Sequence, residues 1–144
     1  MARNDTQLSF DFDRPTAAQA ADTARRLKGR VAYLSGISAE NHIASDYERR
    51  GYRILHRRWR GQAGEVDLIA QGGAQIVFVE VKQSRDFDRA ARALSQRQVA
   101  RIYAAAEEFA GTLPSGQGTD MRLDVALLNG YGETRVLENV SAYG

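Results

Sequence analysis

The chain has 144 residues, 43% of them hydrophobic, and a formal net charge of +2. That length suits one compact domain plus a tail, and no apolar run is long enough to cross a membrane. The absence of cysteine excludes disulfides, thiolate zinc sites and thiol nucleophiles.

Asp5, Asp11 and Asp13 stand where an export signal needs a basic and then an apolar stretch, so a cytoplasmic protein is expected. Residues 1–15 read as a polar tail with isolated aromatics. Residues 16–28 are alanine-rich and end in Arg25, Arg26 and Lys28, a short helix or a frayed leader. The sequence divides into a flexible or partly helical tail over 1–30 and a folded domain over 31–144. Gly29 and Gly36 are expected to interrupt the early helix. Ser38 is a candidate N-cap for a helix over about 37–50, with Ile43, Ala44 and Tyr47 at helical spacing and Gly51 as its stop.

Residues 52–59 alternate as a strand around Ile54 and Leu55, and Gly61 and Gly64 bracket a turn. Val66, Leu68 and Ala70 alternate against Glu65, Asp67 and Ile69 in a second strand. Gly72 and Gly73 make a tight hairpin turn. Residues 75–82 form a third strand, apolar on both faces through Ile76, Val77, Phe78 and Val79, which places it inside the sheet. Asp86 caps a helical stretch with Ala90, Ala93, Leu94, Val99, Ile102, Ala105, Ala106 and Phe109 as its buried face. A loop over 111–118 leads to a fourth strand at 123–128 and a short edge strand at 135–139. This order predicts an α/β/α sandwich around a central mixed sheet.

Arginine supplies every cation except Lys28 and Lys82. Arg49, Arg50, Arg53, Arg57, Arg58 and Arg60 fall within twelve residues that contain no acid. The planar guanidinium fork matches phosphate oxygens, so Arg53, Arg57, Arg58 and Arg60 are candidate nucleic-acid contacts. The simpler reading is a solvated basic surface.

Side chains two apart on a strand share a face, so Glu80 and Lys82 point one way and Val79 and Val81 the other. Pairing about the hairpin turn brings Asp67 near residues 78–80. Two carboxylates brought together repel, and a hard divalent cation relieves that repulsion. Asp67 and Glu80, with the Val81 carbonyl, are therefore candidate ligands for Mg2+ or Mn2+, and Lys82 is placed to orient or help deprotonate a water. A Glu-x-Lys pair alone is common on solvated strands. Here the charge follows an abrupt apolar run, and an acid of the preceding strand lands opposite.

Gly51-Tyr52-Arg53-Ile54-Leu55, Trp59-Arg60, Gly64-Glu65-Val66-Asp67-Leu68-Ile69-Ala70 and Val77-Phe78-Val79-Glu80-Val81-Lys82 closely resemble the YraN-like family of predicted endonucleases. Arg97-Gln98 and Arg122-Leu123-Asp124-Val125 continue the match, which covers about 36–140. The resemblance implies a restriction-endonuclease-like fold with a PD-(D/E)xK site, similar to archaeal Holliday-junction resolvases. It implies that Glu40 faces the metal site from the first helix, that Asp67, Glu80 and Lys82 form the catalytic core, and that Gln98 borders it. For Glu40 and Gln98 the plain alternative is an exposed helix residue. The chain departs from the family's pattern at Arg58, usually asparagine, at Arg97, usually lysine, at Gln83-Ser84 and at Asp88.

Trp59 is expected as a strand anchor rather than a base-stacking residue, and His42 and His56 as structural or solvated. Glu65 is either a supporting acid of the site or a salt-bridge partner for a nearby arginine. In the tail, Gln7-Leu8-Ser9-Phe10-Asp11-Phe12 resembles the peptide with which bacterial repair proteins dock on the DNA-polymerase sliding clamp, with Gln7, Phe10 and Phe12 as anchors. Such short patterns also arise by chance. The sequence thus predicts a Mg2+- or Mn2+-dependent endonuclease acting on DNA, including branched DNA of repair and recombination. The alternative is an inactive nucleic-acid- or partner-binding module on the same fold. A two-fold-symmetric junction would suit a homodimer, although no interface is legible.

Overall fold

In a computed structural model of the chain, residues 14–92 and 94–141 are described, with 32–34 by backbone alone. The clamp-like anchors Gln7, Phe10 and Phe12, and the Ala93 expected in the core, lie outside them. The chain divides into two units, Met1–Ser35 and Gly36–Gly144. Among the described residues no helix is long and apolar enough to cross a membrane.

Helix α1 spans Ala17–Arg49, with Gly29 and Gly36 inside it. Neither glycine interrupts it, and Ser38 lies within it rather than at its start. A helical glycine costs only about 1 kcal/mol relative to alanine, which neighbouring strong helix formers tolerate. The helix ends as expected: Gly51 takes φ 94 and its N–H donates to the Glu48 carbonyl. Only glycine adopts that left-handed backbone without steric cost.

The second unit is an α/β/α sandwich. Strands β1 (Arg53–Arg60), β2 (Glu65–Gly72), β3 (Gln75–Gln83), β4 (Met121–Leu128) and β5 (Thr134–Leu137) lie in the order β1-β2-β3-β4-β5. Only β3 and β4 run parallel, so the sheet is mixed as predicted. The parallel pair needs a crossover, supplied by helices α2 (Phe87–Arg92) and α3 (Gln96–Ala110). The single helical stretch expected there is two helices, because Ser95 starts a new one: its hydroxyl accepts from the Gln98 N–H at 3.1 Å. Asp86 caps α2 as anticipated, accepting from the Arg89 N–H at 2.7 Å.

Ile43, Ala44 and Tyr47 of α1 pack on one face of the sheet against Leu68, Val77, Val79 and Ala126. Val99, Ile102, Ala105, Ala106 and Phe109 of α3 cover the other face, against Val66, Ile69, Phe78 and Leu123. Phe109 takes His56, Trp59 and Phe78 edge-on at ring separations of 5.4, 5.5 and 5.8 Å. Trp59 is thus a core anchor. Strict alternation fails in β2, where Val66 and Leu68 lie on opposite faces. It also fails in β1, whose register with β2 shifts between Ile54 and His56.

A buried polar knot ties β4 to α1. Asp124 is fully buried. It accepts from the Tyr47 hydroxyl at 2.7 Å, from Arg122 Nε and an Arg122 terminal nitrogen at 2.8 Å each, and from the Asn139 N–H at 3.1 Å. Burial is tolerable because the charge is paired and its lone pairs are satisfied. Burial and the Asp124 carboxylate hold the Tyr47 phenol far above its usual range.

Candidate active site

The hairpin fixes the first relationship. Gly72 pairs with Gln75 and Leu68 with Val79, so one step further Asp67 stands opposite Glu80. At that point the Val81 N–H donates to Asp67 Oδ2 at 2.8 Å, locking the aspartate to the neighbouring strand. Glu80 and Lys82 leave β3 on the α3 face, with Lys82 Nζ 3.6 Å from Glu80 Oε1. Helix α3 supplies Gln98, whose Nε2 donates to the same Oε1 at 3.1 Å. Gly64, Glu65, Asp67, Glu80, Gln98, Arg101 and Ile102 line one pocket.

The electrostatics of this pocket are unfavourable for the bare protein. Burial, then the adjacent Asp67 charge, pushes the Glu80 carboxyl up to about 8, against the pull of Lys82. Asp67 is raised too, by burial first, with Glu40 and Glu65 adding to it against the Val81 N–H. A site that keeps two carboxylates together against their own repulsion is a functional candidate. Its donor set suits a hard oxygen-seeking cation, which would remove the repulsion. Among the described residues no group of three acidic or histidine side chains converges as a ready-made metal site. The remaining oxygens would come from backbone, water and substrate, as they often do for Mg2+.

Glu40 bears on the site through its charge on Asp67 and does not line the pocket. Its carboxylate is held by Arg58, with Nε 2.9 Å from Oε2 and a terminal nitrogen 3.3 Å from Oε1. Arg58 sits at φ 51. Asparagine adopts that left-handed region more readily than arginine.

The arginine cluster is less free than its sequence suggests, because acids from elsewhere meet it. Arg49 pairs with Asp46, Arg50 with Glu138, Arg58 with Glu40 and Arg60 with Glu65. Arg57 donates to Asn41 Oδ1 at 2.7 Å, and Arg53 is exposed. Glu65 lines the pocket and pairs with Arg60, its Oε2 3.5 Å from the guanidinium. His42 is exposed.

Two contributors escaped the sequence reading. Arg101 lines the pocket one helical turn beyond Gln98; the three-residue spacing was its only signal. Glu108 accepts from the N–H groups of Gln62 and Ala63 at 2.9 and 3.0 Å, fastening the β1–β2 turn to α3. An acid far along a helix gives no sequence sign of that contact.

The model of "Uncharacterised protein family UPF0102" matches residues 39–128. A UPF0102 protein of Ruegeria pomeroyi is 54% identical over 117 residues, covering 81% of this chain and 95% of its own. A UPF0102 protein of Roseobacter denitrificans is 47% identical over 121 residues, covering 84% and 94%. One of Cereibacter sphaeroides is 47% identical over 116 residues, covering 81% and 99%. These names state no activity.

Proposed function

The chain belongs to the uncharacterised family UPF0102, and we propose that it is a divalent-metal-dependent endonuclease acting on DNA, including branched DNA of repair and recombination. The observation that carries this reading is the forced company of a half-buried Asp67 and a buried Glu80, with Lys82 on the same face as Glu80. Asp67 and Glu80 would hold Mg2+ or Mn2+, with the Val81 carbonyl as a further oxygen. When bound, such an ion supplies Lewis acidity, withdrawing charge from the phosphate and acidifying water.

The protein's own groups do the rest. Gln98 fixes the Glu80 carboxylate by its hydrogen bond, and the Val81 N–H fixes Asp67. Lys82 orients the attacking water and offsets phosphate charge. The water oxygen bonds to phosphorus as the bond to the leaving sugar oxygen breaks; the water loses one proton and the leaving oxygen gains one.

The test is a cleavage panel of linear, nicked, flap and four-way DNA with Mg2+ or Mn2+. Asp67→Ala and Lys82→Ala are each expected to lower the rate by at least ~100-fold. A wild-type protein that leaves every DNA intact with both metals overturns the proposal. Calorimetry with Mg2+ separates it from a binding-only module, which has no need of metal at Asp67 and Glu80.

A further inference from the structure

We propose that Arg101 binds the scissile phosphate in the pocket formed with Asp67 and Glu80. This assignment rests on the endonuclease reading above and adds a contact that the acidic-acidic-lysine pattern does not contain.

Arg101 stands three residues after Gln98 on α3, so the two project from one helix face towards the pocket that both line. Gln98 is committed to Glu80. Arg101 has no hydrogen bond or ion pair among the described residues, although Glu65, Asp67 and Glu80 line the same pocket. Nearby arginines are occupied: Arg58 by Glu40 and Arg60 by Glu65. Arg101 is therefore a cationic residue lining the pocket without a carboxylate partner among the described residues. Lys82 is the other cation at the site, and its ammonium lies 3.6 Å from Glu80. A phosphodiester entering beside two carboxylates gains from a second cation. The guanidinium fork fits its two free oxygens better than a point charge does.

The backbone makes room for this placement. A Cβ on Gly64 would stand 3.1 Å from Arg101 Cγ and 3.5 Å from Cδ. The bare glycine thus lets the arginine stem lie against the start of β2, directly before Glu65 and Asp67.

The experiment uses the full chain and the cleavage assay above, with Arg101→Ala and Arg101→Lys. Arg101 is exposed, so its replacement leaves the core intact. Arg101→Ala should lower kcat/KM roughly tenfold to a hundredfold, the scale of a charge-assisted hydrogen bond. Mg2+ affinity measured without DNA should not weaken. The slope of DNA affinity against salt, measured with Ca2+ replacing Mg2+, should fall by about one phosphate contact, a change that a merely structural residue would not cause. Arg101→Lys should restore that slope but only part of the rate.

A wild type that cuts while Arg101→Ala cuts equally well, or keeps the full salt slope, overturns the Arg101 assignment alone. A wild type that cuts no DNA overturns the endonuclease reading and this assignment with it.

Discussion

Arg58 Nε lies 2.9 Å from Glu40 Oε2, and it reaches that carboxylate from a left-handed backbone at φ 51. One contact thus couples the outer strand to the first helix and masks a charge that Asp67 feels. Arg58→Asn should be nearly neutral for stability, since relief of about 1 kcal/mol of backbone strain offsets a partly exposed ion pair. It should also leave Glu40 unmasked. Divalent-metal affinity is then expected to rise a few-fold while DNA affinity falls. Calorimetry with Mn2+ and DNA-binding isotherms check both; an unchanged metal affinity would mean that Glu40 is not felt at the site.

Glu80 predicts an inverted pH dependence. Its carboxyl is pushed up to about 8 in the fold, against 4.5 as the ordinary value. Between those values the folded chain binds more protons than the unfolded one, so stability falls as pH rises through that window. Below it both states are protonated and nothing is lost. Each tenfold change in proton affinity corresponds to about 1.4 kcal/mol, so the total is on the order of a few kcal/mol. Glu80→Gln should flatten this slope and be more stable than wild type at pH 8 to 9, while losing metal binding. Denaturant titrations across the range, without metal, make the comparison. A wild-type curve that rises towards pH 8 would refute it.

Asp124 predicts a loss of stability separate from chemistry. Asp124→Ala strands Arg122 in a half-buried setting and leaves the Tyr47 hydroxyl without its acceptor. A cost of about 3–5 kcal/mol is expected in thermal or denaturant unfolding. Tyr47→Phe, which removes one donor and keeps the ring, should cost roughly 1–3 kcal/mol. If both variants unfold like wild type, the knot contributes nothing to the fold.

Glu108 predicts a change in local order. Glu108→Ala releases the amides of Gln62 and Ala63. Their hydrogen exchange should speed up while the core remains protected, and cleavage should slow a few-fold because Gly64 and Glu65 follow directly. Unaltered exchange at those two amides would show that the turn holds itself.

How much of this was legible in the sequence depended on the range of the interaction. The pairing of Asp67 with Glu80 was readable because a two-glycine turn sets hairpin register, and Glu80 and Lys82 share a face by strand geometry alone. The end of α1 was readable from Gly51. The passage of α1 through Gly29 and Gly36 was not, because a glycine's penalty of about 1 kcal/mol is local and the helix on both sides outweighs it. The register shift near Leu55 and the opposite faces of Val66 and Leu68 arise from cross-strand pairing, which alternation cannot express. The arginines of 49–60 looked unpaired because their acids, Asp46, Glu138, Glu40 and Glu65, lie outside that stretch of sequence. Asp124 was visible as part of a matching motif, but its partners Tyr47 and Asn139 meet it only in the fold.

Strand β1 is the outermost strand on its side of the sheet, and it carries Arg53, Arg57, Arg58 and Arg60 together with a register shift. An outer strand offers open amide and carbonyl groups on which another chain can template itself. Charge, irregular pairing and the left-handed kink at Arg58 all discourage such growth. The same arginines that are candidate nucleic-acid contacts therefore also keep this rim from recruiting further strands. Removing all four to probe nucleic-acid contact would create a smoother rim prone to self-assembly, so any loss of binding would have two causes at once. Single replacements, checked by light scattering, keep those reasons apart.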